Sequence, residues 1–528
     1  MQSTFILFLF MAFVILFLGM VAKKLKIAPP IILVLGGLLL STIPQIPAIS
    51  IDPEMIFIIF LPPLLYEAAW YTSWKDFWRW RRVITSFAFL IVIITSFVVA
   101  IVSSSLLPGF TMALGFLLGG IVSPPDAVSA TSILKEVQVP KRLTAIVEGE
   151  SLLNDASSLI IFRFALIAVD TGHFVFREAA LSFVVVILMG IAIGLLIGLI
   201  FYLLHTRLPT SSNMDIILTL TAPYIMYLTA EYFHFSGVLA VVSGGLFLSA
   251  KSHRMLSHRS RIQGANVWSA VVFLLNGIVF LLIGLELPVI TAQLGEVSLA
   301  RAIGYGLIIS MVLIITRLLS TAGASVFTVF ISRYIKTADN RPGWKGPLLF
   351  GWAGMRGVVS LAAALAIPVH LSDGRDFPQR NLILFITFTV ILVTLIVQGL
   401  TLPLLIKWVN MEEPDHYLSM DEEDARIRQL LKDSSLRYLD KNHKDMMESN
   451  SSLKKLRDKF EHQYLTEDNE ELSDKDFLDI YLNILEEQRK ELHQLNRLPD
   501  SDGETVRKYL VLLDLEEEKF RLKHTSLN

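Results

Sequence analysis

Residues 148–155 read Glu-Gly-Glu-Ser-Leu-Leu-Asn-Asp. On a helix Ser151 and Asp155 are four apart and share a face, as do Glu150 and Asn154. One face therefore offers a carboxylate and a hydroxyl, and the adjacent one an amide and a second carboxylate. All are oxygen donors with no His, Cys or Met beside them, and the 528-residue chain has no cysteine at all. Hard oxygens suit a small hard cation better than a soft transition metal. Few carboxylates among neutral oxygens suit a monovalent ion better than Ca²⁺, which takes more ligands and more charge. A buried carboxylate is neutralised either by a proton or by a bound cation. One Asp can thus hold one or the other, and a protein that moves only when it is occupied couples the two fluxes. Asp155 is the residue expected to do so, as the site of a monovalent cation.

Other ionisable residues fall in equally apolar surroundings, where they are costly and by default functional. Glu67 follows Pro62-Pro63, and Asp126 follows Ser123-Pro124-Pro125. Glu148 lies seven residues before Asp155, on the same side of a helix and nearly two turns away, as an access acid would. Arg163, Arg317 and Arg356 read as structural counter-charges. Glu231 and Glu286 are expected near the outer membrane surface. His205, His234, His253 and His258 are expected in loops, with a pH-sensing role open.

The elements that must carry these residues are membrane helices. The chain is 53% hydrophobic and 18% charged, against roughly 25% charge in soluble proteins. Residues 1–410 carry a net charge of +9 and residues 411–528 a net of −11. A transmembrane domain over 1–410 and an acidic cytoplasmic helical tail over 411–528 follow. A span needs about 20 mostly apolar residues. Thirteen segments qualify, near 2–22, 29–49, 54–73, 83–107, 111–134, 142–169, 178–204, 213–232, 235–250, 265–288, 301–331, 346–369 and 381–409. With the N-terminus outside, the cytoplasmic loops hold 19 Lys and Arg residues and the opposite loops only 4. That bias orients the helices and places the tail in the cytoplasm. Met1–Met20 lacks a basic leader and a cleavage site, and is read as a retained span. Nucleic-acid binding is excluded, because no basic stripe interleaved with aromatics occurs and the soluble part is acidic.

Two spans are interrupted. The fifth contains Ser123-Pro124-Pro125-Asp126, whose prolines remove two backbone donors at mid-depth. The twelfth contains Gly351, Gly354 and Gly357 around Arg356. With the seventh span as linker, each is the fifth span of its six-span half. Broken helices in corresponding positions of two inverted halves mark the ion site of a transporter. In the tail, Phe477, Ile480, Tyr481, Ile484 and Leu485 form one helical stripe. Val506, Leu510 and Leu513 form a second, beyond Pro499–Gly503.

Three motifs in order give the chain a specific resemblance. Gly149 followed by Glu150-Ser151-Leu152-Leu153-Asn154-Asp155 is similar to the signature of the monovalent cation:proton antiporters, the Na⁺/H⁺ exchanger superfamily with its NhaP-type branch. Trp352-Ala353-Gly354-Met355-Arg356-Gly357 resembles the W-G-G-x-R-G segment of that family, and Leu61–Glu67 its L-P-P-x-x-x-[ED] stretch. The likeness covers roughly 1–410. It implies an all-α fold of 13 helices, with a six-helix core domain, a dimerisation domain and an elevator-like motion. It also implies Asp155 as the shared cation and proton site, with oxygens from Ser151, Asp126 and Glu67 and the Pro125 carbonyl at the helix crossing. Glu150 would pair with Arg317. Asn154 stands where electrogenic relatives carry a second Asp, which implies electroneutral exchange of one cation for one proton. Pro125-Asp126-Ala127 stands where the family has T-D-P, so the Asp is kept while the threonine hydroxyl is gone.

The resulting expectation is secondary antiport of Na⁺, Li⁺ or K⁺ against H⁺ in the plasma membrane, by a homodimer that needs no cofactor. A cation channel, or a sensor read out by the tail, is the alternative from another class. An intramembrane aspartyl protease on Asp126 and Asp155 would need a G-x-G-D context, which is missing.

Overall fold

In the computed structural model the described residues are all but 1, 26, 44–52, 127–129, 132, 135–136, 138, 173–175, 293, 295–296, 332–342, 412–419, 445, 447–450, 463–474, 499–500 and 526–528. Lys26, Lys135, Arg333, Lys336 and Arg341 of the loop-charge pattern, with Ala127 and Pro499, lie outside them.

The fold is helical throughout its named elements. The chain begins with α1 (Gln2–Leu25), α2 (Pro29–Leu40) and α3 (Pro53–Tyr71). Next, α4 (Trp74–Thr85) runs through a π-turn (Ser86–Ile91) into α5 (Val92–Leu106). Then come α6 (Met112–Val122), α7 (Lys141–Thr171), α8 (Phe176–Arg207), α9 (Ser212–Tyr232) and α10 (Gly237–Met255). After α11 (His258–Ala292) and α12 (Leu299–Ile331) lie two short helices, α13 (Lys345–Trp352) and α14 (Val358–Leu365). Helix α15 (Arg380–Val393) passes through a second π-turn (Thr394–Gln398) into α16 (Gly399–Val409). The tail holds α17 (Met420–Asn442), α18 (Ser451–His462), α19 (Lys475–Leu495) and α20 (Gly503–Thr525).

Among the described residues, seven helical stretches are long and apolar enough to cross a membrane: Phe8–Leu25, Trp74–Leu106, Lys141–Thr171, Ser182–Arg207, His258–Ala292, Leu299–Phe330 and Arg380–Val409. Helices Pro29–Leu40, Phe57–Tyr71 and Met112–Val122 are apolar but shorter. Several expected boundaries move. The fourth span starts at Trp74 and not near 83, because Ser73 caps the amphipathic α4 by accepting from the Asp76 amide. The tenth begins at His258 and not near 265. Three of the four histidines expected in loops are helical: His205 is buried in α8, His253 lies in α10, and His258 opens α11. His234 alone sits in a turn, at φ 60°.

The chain divides into two compact units. The first comprises Met1–Pro209, Ile217–Lys251 and Val267–Glu412. Small residues draw its helices together, as they do where lipid gives no hydrophobic drive for association. A Cβ on Gly119 of α6 would lie 2.6 Å from the Ser96 carbonyl oxygen of α5, and one on Gly115 2.7 Å from that of Ala100. Buried Ile84, Leu143, Ile146, Leu349 and Met355 belong to one apolar cluster. Leu117, Ile121, Phe162, Leu313 and Ile383 belong to another.

The second unit comprises Thr210–Ile216, Ser252–Asn266 and Glu413–Asn528. Its core contains Ile427, Leu439 and Leu453 together with Phe477, Ile480, Tyr481, Ile484, Leu485, Val506 and Leu513. Beside that core lies a charge network. Arg261 holds Asp514 through two bonds of 2.8 and 2.5 Å. Arg489 reaches Asp514 at 3.0 Å and Glu517 at 2.6 Å. The two nitrogens of His258 face Glu517 at 3.1 Å and Glu518 at 2.9 Å.

Candidate ion-binding site

Helix α7 carries the segment 148–155. It starts after Pro140 and ends where Gly172 adopts φ 72°, a conformation glycine takes without steric cost. Glu150, Asn154 and Asp155 are buried on it, while Glu148 and Ser151 are half-buried. The helix is held beside the rod 74–106 by Ser157, whose hydroxyl donates to the Ala88 carbonyl at 2.5 Å. Ala88 lies in the first π-turn, where i→i+5 spacing disturbs the regular ladder and a carbonyl is open to an outside donor.

Two interrupted segments meet next to α7. Helix α6 ends at Val122, and residues 123–126 are non-helical. Helices α13 and α14 are separated by 353–357. Asn154 Nδ2 donates to the Pro125 carbonyl at 3.0 Å, tying α7 to the first break. The Asp126 amide donates to the Met355 carbonyl at 2.7 Å, tying the first break to the second.

The charges at these breaks are exchanged between the two segments. Arg356, fully buried, donates through Nε to the Val122 carbonyl at 2.8 Å and through Nη2 to that of Ser123 at 3.3 Å. It also donates to the Gly354 carbonyl. Its guanidinium thus sits on the C-terminal, partially negative end of α6. In return, the Asp126 carboxylate sits against Gly357, the residue that precedes α14, at the partially positive end of that helix. A Cβ on Gly357 would overlap Asp126 Oδ2, so only glycine admits the carboxylate there. Each broken helix is neutralised by a side chain from the other. Asp126 is also near enough to Asp155 for the two carboxylates to act on each other.

One turn before Asn154, Glu150 forms a two-bond pair with Arg317 of α12 at 2.8 and 2.9 Å, both side chains being buried. Gly354 makes room for that guanidinium, since a Cβ there would lie 2.3 Å from Arg317 Nε. Glu150 is therefore occupied by a fixed counter-charge, whereas Asp155 receives no cation partner among the described residues. The Asn154 side-chain oxygen is buried and has no hydrogen-bond partner among the described residues. A buried carboxylate and an open amide oxygen, adjacent in sequence, stand beside the carbonyl-rich break.

Pro125, Asp126, Asn154, Asp155 and Arg356 come together in this way. Ser151 lies one turn before Asp155 on the same helix, and Glu67 is half-buried on α3, which packs against α7 and α14. Arg163 is instead partly exposed and faces Glu231 at 3.6 Å. Sequence reasoning missed Thr394, whose hydroxyl accepts from the Arg356 amide at 3.1 Å, and Ser96, which bonds Ser123 at 3.0 Å. Neither has a local signal, because a hydroxyl in an apolar helix commonly bonds its own backbone. The fit between Asp126 and Gly357 had one, the glycine run around Arg356.

The profile described as "Sodium/hydrogen exchanger, transmembrane" matches residues 9–408. An uncharacterised Na⁺/H⁺ exchanger of Mycobacterium tuberculosis is 35% identical over 395 residues, covering 74% of this chain and 72% of its own. A sodium, potassium, lithium and rubidium/H⁺ antiporter of Bacillus pumilus is 31% identical over 486 residues, covering 90% of this chain and 67% of its own. Among solved structures, the sodium proton antiporter MjNhaP1 of Methanocaldococcus jannaschii superposes with a TM-score of 0.61 at 18% identity. That match covers 78% of this chain and 99% of the other, and it concerns the fold.

Proposed function

The chain belongs to the sodium/hydrogen exchanger family, in its NhaP-type branch, and from that premise we propose that it exchanges Na⁺, K⁺ or Li⁺ for H⁺ with Asp155 as the shared site. As a member of a transporter family it is not an enzyme, which sets the protease reading aside. The observation that carries the proposal is the division of labour among three acids. Glu150 is locked to Arg317, Asp126 is locked at the start of α14, and Asp155 is buried without such a lock.

Two nearby carboxylates cannot both stay ionised and unshielded in a buried site. Either a proton or a cation at Asp155 removes that penalty, and the empty state bears it. Reorientation of the empty site is thereby disfavoured, and exchange results. The Pro125 carbonyl, the Asn154 oxygen and the Ser151 hydroxyl supply neutral donors, with Asp126 and Glu67 contributing directly or through water. Glu148 stands nearly two turns before Asp155, as an access acid. Because Asn154 is neutral, each cycle exchanges one positive charge for another and is electroneutral.

The remainder follows the family pattern: thirteen spans in two inverted halves, with crossing breaks and a homodimer moving its core domain as an elevator. Residues 1–410 form the transport domain of a plasma-membrane protein with its N-terminus outside and the 411–528 tail in the cytoplasm. The test is the purified protein in liposomes containing a pH dye, given pulses of Na⁺, K⁺ and Li⁺. Cation pulses should move protons in the wild type and not in Asp155→Asn. Clamping the membrane potential should leave the rate unchanged. Proton movement by Asp155→Asn at the wild-type rate overturns the assignment, and a strong voltage dependence overturns electroneutrality. A channel would instead carry current at one fixed pH.

A further inference from the structure

The rod 74–106 has 33 residues. At about 1.5 Å per residue it is some 50 Å long, against a hydrocarbon core of roughly 30 Å. The π-turn and α5 carry no ionisable residue, so the overhang falls on α4. That helix reads Trp-Lys-Asp-Phe-Trp-Arg-Trp-Arg-Arg-Val-Ile-Thr, with four cations to one acid. It is amphipathic in an unusual sense. Trp80 and Ile84 are buried on one side, where the Arg142 guanidinium lies 4.9 Å from the Trp80 ring.

On the other side Trp74 and Trp78 are 48% and 54% exposed. Their rings stack on each other at 5.8 Å, and Phe77 extends the stack from Trp74 at 5.9 Å. The exposed Arg81 closes it, with its guanidinium 4.6 Å from the Trp78 ring and Nη1 donating to the Trp78 carbonyl at 2.6 Å. No carboxylate pairs with Arg81 among the described residues. A flat indole shelf topped by an oriented cation, on the overhanging end of a spanning rod, has the dimensions and polarity of the headgroup zone. Indoles settle at that level, and a guanidinium matches the paired oxygens of a phosphate.

We propose that the Trp74–Trp78–Arg81 face of α4 is a binding site for an anionic phospholipid, with the headgroup phosphodiester on Arg81 and the glycerol and upper acyl region on the indoles. The Arg81 guanidinium, which meets no carboxylate among the described residues, selects an anionic lipid over a zwitterionic one.

Native mass spectrometry of the full chain in detergent tests this, using phosphatidylglycerol and phosphatidylcholine with identical acyl chains, and glycerophosphate as the headgroup alone. The wild type should retain phosphatidylglycerol over phosphatidylcholine and hold glycerophosphate far more weakly than either. Arg81→Gln should weaken phosphatidylglycerol about fivefold, the effect of one basic residue at an anionic surface. Arg81→Lys should keep most of the preference, and Trp78→Ala should weaken both lipids. Equal retention of the two lipids overturns the proposal. So does an Arg81→Gln variant that holds phosphatidylglycerol like the wild type, or glycerophosphate binding as tight as the lipid.

Discussion

At the scale of single residues, three carboxylates within a short reach of one another have different fates because of what faces each. Glu150 meets a guanidinium through two bonds and is fixed. Removing one partner of such a buried pair leaves an uncompensated charge and costs about 3–5 kcal/mol. Arg317→Ala should therefore lower thermal stability sharply, and Arg317→Ala with Glu150→Ala should recover part of the loss. Melting of the two variants in detergent checks this. If the double variant is less stable than the single by the full cost of a second lesion, the two residues do not act as a pair. Asp126 is fixed differently, by a glycine that gives its carboxylate a place to lie. Asp155 is left to take whichever cation arrives.

At the scale of elements, the crossing works because each broken helix borrows a charge from the other. Gly357→Ala should disturb this most economically. The added methyl overlaps Asp126 Oδ2, and relieving it costs about 1–3 kcal/mol while displacing the carboxylate. Cation-driven proton flux should fall well below wild type while the protein remains folded; unchanged flux would mean that the position of Asp126 is immaterial. Much of this level was legible in the sequence. Prolines 124–125 and the glycines around Arg356 announce interruptions, because each removes a donor or a side chain where an apolar helix should continue. What they could not announce is the partner: Arg356 lies 233 positions from Ser123, to whose carbonyl it donates. Helix α4 was obscured for another reason. Its arginines lower the local hydropathy, so the fourth span read as starting at 83 while its amphipathic first turns read as a loop.

At the scale of the whole molecule, the acidic tail unit acquires a physical account of part of its charge. Asp514, Glu517 and Glu518 face Arg261, His258 and Arg489 within that unit. Tail periodicity alone revealed the apolar core but not these contacts, of which those of Arg261 and His258 join segments some 250 positions apart. Burial alone would push the Glu517 carboxyl up, but hydrogen bonds from His258, Arg489 and Arg521 outweigh it and hold it well below the ordinary glutamate range. A depressed carboxyl adds stability above its unfolded value of about 4.3, and that stability is lost as pH falls toward the folded value. Glu517→Gln should thus cost about 2 kcal/mol at neutral pH. The gap from wild type should narrow below about pH 4. Hydrogen exchange over 475–525 in the full chain reads both, and a gap that widens on acidification would contradict the sign. The most direct test of competition at Asp155 is proton release on cation binding, with purified protein in weakly buffered detergent solution. A saturating Na⁺ or K⁺ pulse, at a pH where the site is protonated, should release one proton per chain from the wild type and none from Asp155→Asn. Cation binding by the wild type without proton release, or undiminished release from Asp155→Asn, would contradict the shared site.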